Sequence, residues 1–229
     1  MHKELLRRLI NVFLRTLSLG SRFALIFVLA RLLEPAEVGL YGLVLATVSF
    51  SVLVIGGDYY IYSQRELMSR PPEEWSFPLQ HQLLGIGLLY TVLIPIQFLI
   101  FTFDLLPLSV FIWFFILLIV EHLAQELNRI LVAMQKPLSA SLVYFVRNGL
   151  WVWALIPFMW HYEALQQMET VFLAWAFGAL FSVFLGGIIV WRAVPKWCWW
   201  PIDWTWLKRG YRKGLLFLIA TMCFRALLT

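Results

Sequence analysis

Long apolar runs separated by short polar connections fill the chain from end to end. A helix that crosses the hydrocarbon core needs about 20 mostly apolar residues. Six stretches meet that length: 9–33, 39–60, 82–103, 108–128, 141–160 and 169–191. A further apolar run opens at Gly214 and is still apolar 16 residues on, at Thr229, so it reads as a span cut short. The pattern predicts an all-α integral membrane protein. Six transmembrane helices occupy 1–191 as one lobe, a basic, Trp-rich interfacial loop occupies 192–213, and a truncated seventh helix starts within 214–229.

Polar residues inside these runs are not scattered. In the first, Asn11, Arg15, Ser18 and Arg22 follow the spacing i, i+4, i+7, i+11, which is one narrow helical face. At 1.5 Å per residue Arg15 is only about 9 Å into the span and can snorkel, whereas Arg22 is about 20 Å in, beyond easy reach of either surface. Arg31 falls near the far interface. The second run carries Thr47, Ser51 and Asp58, and the fourth carries Glu121, Gln125 and Asn128 with His122, Glu126 and Arg129 beside them. The fifth opens with Ser139 and Ser141 and continues to Arg147 and Asn148, and the last run contains Arg225. Ionisable side chains within spans face a bundle interior or a hydrated cavity, and they mark substrate or ion paths. Several stripes together predict such a cavity, with Arg22 paired to Asp58 or Glu121. Its deepest charges, Arg22 and Arg225, are positive, which suits an anionic group such as a phosphate held through paired N–H donors. The alternative is that these side chains pair with one another only to fix helix packing.

Composition agrees with the membrane reading. Of 229 residues, 62% are hydrophobic and 14% charged, against roughly half and a quarter in soluble domains. Mean hydropathy is +0.80. Cys198 and Cys223 give neither a disulfide framework nor a metal spacing. The net charge of +5 matters less than where the charges lie. Fourteen Lys and Arg fall at the amino-terminus, in 61–81, in 129–147 and in 192–213, while "EPAE", "FDLLP" and "HYEALQQME" have none. The positive-inside rule then places the amino-terminus and the basic loops in the cytoplasm, in a cytoplasmic (inner) membrane. The stretch "WRAVPKWCWWPIDWTW" (191–206) has six tryptophans beside basic residues, which suits either an interfacial belt or a lid that grips lipid headgroups. No dinucleotide fingerprint, P-loop or His/Cys metal spacing is present. His81, His122 and His161 fall near helix ends, where a wet structural role is expected.

From "LGSRFALIFVLARLLEPAEVGLYGLVLATVSF" (19–50) the chain resembles the polysaccharide transporters, the lipid-linked oligosaccharide flippases of the multidrug/oligosaccharidyl-lipid/polysaccharide exporter superfamily. The likeness lies in an arginine-bearing first helix and the "A-R-x-L-x-P-x-x-x-G-x-Y" turn, where Pro35 and Gly39 punctuate the chain and Tyr41 is expected at the interface. "RILVAMQKPLSASLVYFVRNGLW" (129–151) is similar to that family's connection between the fourth and fifth helices. The resemblance implies a transporter of two six-helix lobes, of which this chain supplies the amino-terminal one. Its cargo would be an undecaprenyl-pyrophosphate-linked oligosaccharide, flipped to the outer leaflet by alternating access for O-antigen, capsule or exopolysaccharide synthesis. The partners expected are membrane lipids, the lipid-linked glycan, and a carboxy-terminal lobe or second copy, with no nucleic acid and no cofactor. Candidate substrate-binding residues are Arg15, Arg22, Asp58, Glu121, Gln125, Arg147 and Arg225. Competing readings are a multidrug or metabolite antiporter of the same superfamily, which would favour acidic cavity residues, and an inactive truncated membrane protein or scaffold. A membrane glycosyltransferase would need a larger loop than the two dozen or so residues available here.

Overall fold

The computed structural model describes the backbone of residues 2–228 and the side chains of 5–221 and 223. The elements are α1 (His2–Leu32), α2 (Pro35–Gly56), α3 (Tyr59–Ser69), α4 (Ser76–Gln97), the single turn α5 (Leu99–Thr102), α6 (Phe111–Ala133), α7 (Pro137–Phe145), α8 (Trp151–His161), α9 (Met168–Ala193) and α10 (Trp204–Leu228). A π-turn, Val146–Leu150, joins α7 to α8 without a break. No strand occurs among the described residues. Among the described residues, six helical stretches are long and apolar enough to cross a membrane: Leu5–Leu32, Pro35–Gly56, Pro72–Thr102, Leu108–Ala133, Pro137–His161 and Met168–Ala193. The chain is thus an all-α, multi-pass membrane protein.

The spans expected from hydropathy are present with shifted ends. Pro35 and Pro137 occupy first helical turns, where a missing N–H costs nothing, so both helices start four residues earlier than their apolar runs. Two differences are larger. The expected loop 61–81 opens as helix, since α3 runs Tyr59–Ser69 with Tyr59, Tyr62, Ser63 and Leu67 buried at helical spacing. In addition, α10 begins at Trp204, ten residues before Gly214. The Asp203 carboxylate accepts from the Trp206 N–H at 2.9 Å, which is an N-cap bond that starts the helix inside the basic segment.

The chain forms two compact units, 1–48 with 106–190 and 49–105 with 191–229. In the first, α1 packs along α7, the π-turn and α8, and α6 packs on α7. The buried face of α1 is Ser18, Ser21, Leu25 and Leu29. That stripe is rotated from the expected polar one: Arg15 and Arg22 are exposed on its flank. Asn128 Nδ2 donates to the Ala140 carbonyl at 2.6 Å, tying α6 to α7, and Ser182 Oγ donates to the Val143 carbonyl at 3.2 Å, tying α9 to α7. Tyr41 is buried and meets the Trp175 ring edge-on at 6.1 Å.

In the second unit Tyr59, Tyr62, Trp206 and Leu207 form a core flanked by Phe77, Leu84, Leu88, Leu89 and Tyr211. Burial pushes the Tyr59 phenol well above its usual range, so it stays neutral. The Trp-rich segment docks on the start of α4. Gln80 exchanges two bonds with the Trp200 backbone, at 2.7 and 2.8 Å, and the Trp200 indole donates to Ser76 Oγ at 3.0 Å. His81 is fully buried: its Nε2 accepts from the Asp203 N–H at 2.9 Å, which leaves Nδ1 as the donor to the Phe77 carbonyl at 2.8 Å. His122, expected near a helix end, is instead fully buried in the middle of α6, and of the three histidines expected there His161 alone is exposed. Trp199, by contrast, is 93% exposed, so only part of this segment is docked.

Close helix approach in this unit depends on Gly210, where a Cβ would stand 2.6 Å from Tyr59 Cε2 and 2.8 Å from Tyr62 Cδ1. Gly210→Val is expected to destabilise the protein by about 1–3 kcal/mol through overpacking. Thermal unfolding in detergent reads this directly; an unchanged midpoint would show that the two tyrosines can yield.

Candidate functional site

The polar residues of the first unit meet at the π-turn. A π-turn closes i→i+5 bonds and frees carbonyls that an α-helix would use. Here side chains take them up: Asn148 Nδ2 donates to the Tyr144 carbonyl at 2.9 Å, and the Trp151 indole donates to the Arg147 carbonyl at 2.9 Å. Gly149 lets α1 come close, since a Cβ there would lie 2.9 Å from Ser21 Oγ and 2.8 Å from the Phe145 ring. Adjacent on this turn, Arg147 and Asn148 address different helices.

Arg147 turns to α6. Its Nε donates to Glu121 Oε2 at 2.5 Å, a second guanidinium nitrogen pairs with the same oxygen, and the same nitrogen reaches Gln125 Oε1 at 3.4 Å. The Trp175 indole on α9 donates to Glu121 Oε1 at 2.6 Å. Both oxygens of Glu121 are therefore engaged, and the Arg147 and Glu121 side chains are only 12% and 7% exposed. Sequence spacing had given Trp175 no role, because a tryptophan in an apolar run reads as part of a belt.

Asn148 turns to α1. Its Oδ1 accepts from an Arg22 guanidinium nitrogen at 2.5 Å. Asn148 is buried and Arg22 exposed. The expected ion pair between Arg22 and Glu121 is thereby corrected: Glu121 goes to Arg147, and Arg22 is positioned by a neutral amide. A neutral partner orients the guanidinium without compensating its charge, leaving the other N–H donors available.

Arg15 is exposed on α1, seven residues before Arg22. In the second unit Asp58 is buried, adopts a left-handed φ of 49° as the N-cap of α3, and accepts from Thr221 Oγ1 at 3.0 Å. The side chain of Arg225 lies outside the described residues. Beside the π-turn an apolar cleft of about 370 Å³ opens between α8 and α9, lined by Val146, Leu150, Trp151, Phe158, Phe177 and Phe181. No group of three or more His, Cys, Asp or Glu is placed to hold a metal among the described residues.

Comparison with protein-family models, with curated proteins and with solved structures finds no match.

Proposed function

We propose that the chain is the amino-terminal lobe of a carrier that moves polyprenyl-pyrophosphate-linked glycans across a cytoplasmic membrane, with the basic loops on the cytoplasmic side. One observation carries this reading: Arg22, deep in an apolar span, is held by the neutral Asn148 amide while the neighbouring carboxylate is consumed by Arg147 and Trp175. An exposed guanidinium at that depth, with no carboxylate partner among the described residues, is matched by an anionic ligand with paired acceptor oxygens. A cation antiporter would use an open carboxylate, and Glu121 is not open. The sequence resemblance to the oligosaccharide flippases supplies the glycan and the alternating-access scheme. The concentration of basic residues in alternate loops supplies the orientation.

A photoactivatable polyprenyl-pyrophosphate analogue tests the substrate class on the purified protein in detergent. Labelling is expected to be competed by polyprenyl pyrophosphate and not by the neutral polyprenol. Equal competition by the two would show that the chain binds prenyl chains without reading the pyrophosphate, and would overturn the reading.

A further inference from the structure

At one end of the first unit, basic side chains that the carrier reading leaves unused converge on a pocket of about 540 Å³, within the size range of about 300–1,000 Å³ usual for small-ligand sites. Arg7, Arg8 and Asn11 line it from α1, and Gln135, Lys136 and Ser139 line it from the α6–α7 junction. The lining has no acidic residue among the described ones.

The junction is built to present donors. Gln135 adopts φ 56°, and α6 ends with the Lys136 N–H on the Leu131 carbonyl and the Gln135 N–H on the Val132 carbonyl, at 2.9 and 3.0 Å. The chain reverses at once into α7, whose first turn carries Pro137 and has no side-chain cap from Lys136. The first intrahelical bond is Ala140 N–H to the Lys136 carbonyl at 3.0 Å. The N–H groups of Leu138 and Ser139 are thus left at the positive end of a helix that continues through the π-turn to His161. Asn11 Oδ1 is buried with no hydrogen-bond partner among the described residues. Rotated by half a turn, the same amide would offer Nδ2 to an acceptor.

The position completes the argument. The pocket lies at the same end of the spans Leu5–Leu32, Leu108–Ala133 and Pro137–His161, where a bilayer places its headgroups. Orientation alone would be served by basic residues spread along that interface. Here three of them meet over a helix N-terminus. We propose that this pocket binds a phosphate group, with Arg7, Arg8 and Lys136 as charged donors and the first amides of α7 behind them. The proposal does not rest on the carrier reading, since it uses none of the residues around Arg22.

Native mass spectrometry of the full chain in a neutral detergent tests it with three probes. Phosphatidylglycerol supplies a lipid phosphate, inorganic pyrophosphate a soluble one, and diacylglycerol neither. Binding of phosphatidylglycerol alone would identify a headgroup site, and binding of pyrophosphate as well would identify a site for phosphate from either source. The triple change Arg7→Gln, Arg8→Gln, Lys136→Gln is expected to weaken binding by about tenfold or more, because charge-assisted bonds are the strong ones. A control that removes a charge at the opposite end of α1, Arg31→Gln, should change it by less than about twofold. Should the triple variant misfold, Arg8→Glu reverses one exposed charge, with helical circular dichroism as the check on structure. Binding no stronger than that of diacylglycerol, or equal loss in the Arg31→Gln control, would overturn the proposal, as would unchanged binding in a folded Arg8→Glu protein.

Discussion

Arg147→Ala is expected to lower stability by about 3–5 kcal/mol, the cost of leaving a buried carboxylate without its counter-charge. The pair is well placed for so large an effect. Glu121 is 5% exposed, one of its oxygens takes two guanidinium nitrogens, and the other is fixed by the Trp175 indole. Removing Arg147 strands that carboxylate among Tyr41, Trp175 and the apolar faces of α6 and α9. The double change Arg147→Met, Glu121→Gln should recover most of the loss. Methionine fills the space of the arginine stem, and the glutamine carbonyl still accepts from Trp175. Unfolding in detergent, followed by helical circular dichroism, gives the four corners of a double-mutant cycle. Additive losses would mean that the two side chains are not coupled, and that Arg147 is held by packing alone.

The physical origin of that pair explains what could and could not be read from the sequence. Spans are legible because about 20 apolar residues have few other uses, and all six expected runs are helical. Helix α3 was hidden because it is short, amphipathic and set among charges, so its pattern resembles a polar loop. The start of α10 had a legible signal, Asp203 three residues ahead of Trp206, but the lysines and arginines that follow obscured it. The π-turn had no comparable signal. It arises where Gly149 must pass close to Ser21, a tertiary demand that no local propensity encodes. That same turn decides which helix each polar residue meets. A regular α-helix drawn over 141–160 sets Arg147 and Asn148 about 100° apart, but it does not say which neighbouring helix each one meets.

Helix α1 shows the same limit from the other side. The spacing of Asn11, Arg15, Ser18 and Arg22 does define one face, yet the buried stripe runs through Ser18, Ser21, Leu25 and Leu29. Serines and leucines win the interface because they allow close packing against α7 and the π-turn. The longer arginines are displaced to the flank, where a guanidinium can reach a partner without being enclosed. Sequence logic that pairs every deep cation with an anion therefore placed Arg22 beside a carboxylate. The fold gives the carboxylate to Arg147, which is enclosed and needs full compensation, and gives Arg22 a neutral amide.

Loss of the Arg22 side chain is expected to abolish recognition of a pyrophosphate lipid while leaving the helices assembled. The two halves of this outcome have separate causes. Arg22 is exposed and bonds only to Asn148 among the described residues, so Arg22→Ala removes one hydrogen bond and strands no charge. The expected stability cost is about 1–2 kcal/mol. Charge-assisted bonds to an anionic ligand contribute about 1.5–3 kcal/mol each, so losing even one weakens binding by roughly 10–150-fold. Arg22→Lys should recover little of this, because an ammonium lacks the planar fork that engages two oxygens at once. Asn148→Ala should fall between the two: the cation stays but its aim is lost, and the Tyr144 carbonyl gives up its side-chain donor. Arg15→Lys should bind as the unaltered protein does, since an exposed arginine nearer the helix start is free to snorkel. Competition labelling with the pyrophosphate analogue measures all four variants on one scale. Full binding by Arg22→Ala would remove the deep arginine from the substrate site, and with it the main support for an anionic lipid cargo. Full binding by Arg22→Lys would keep the charge but discard the forked geometry.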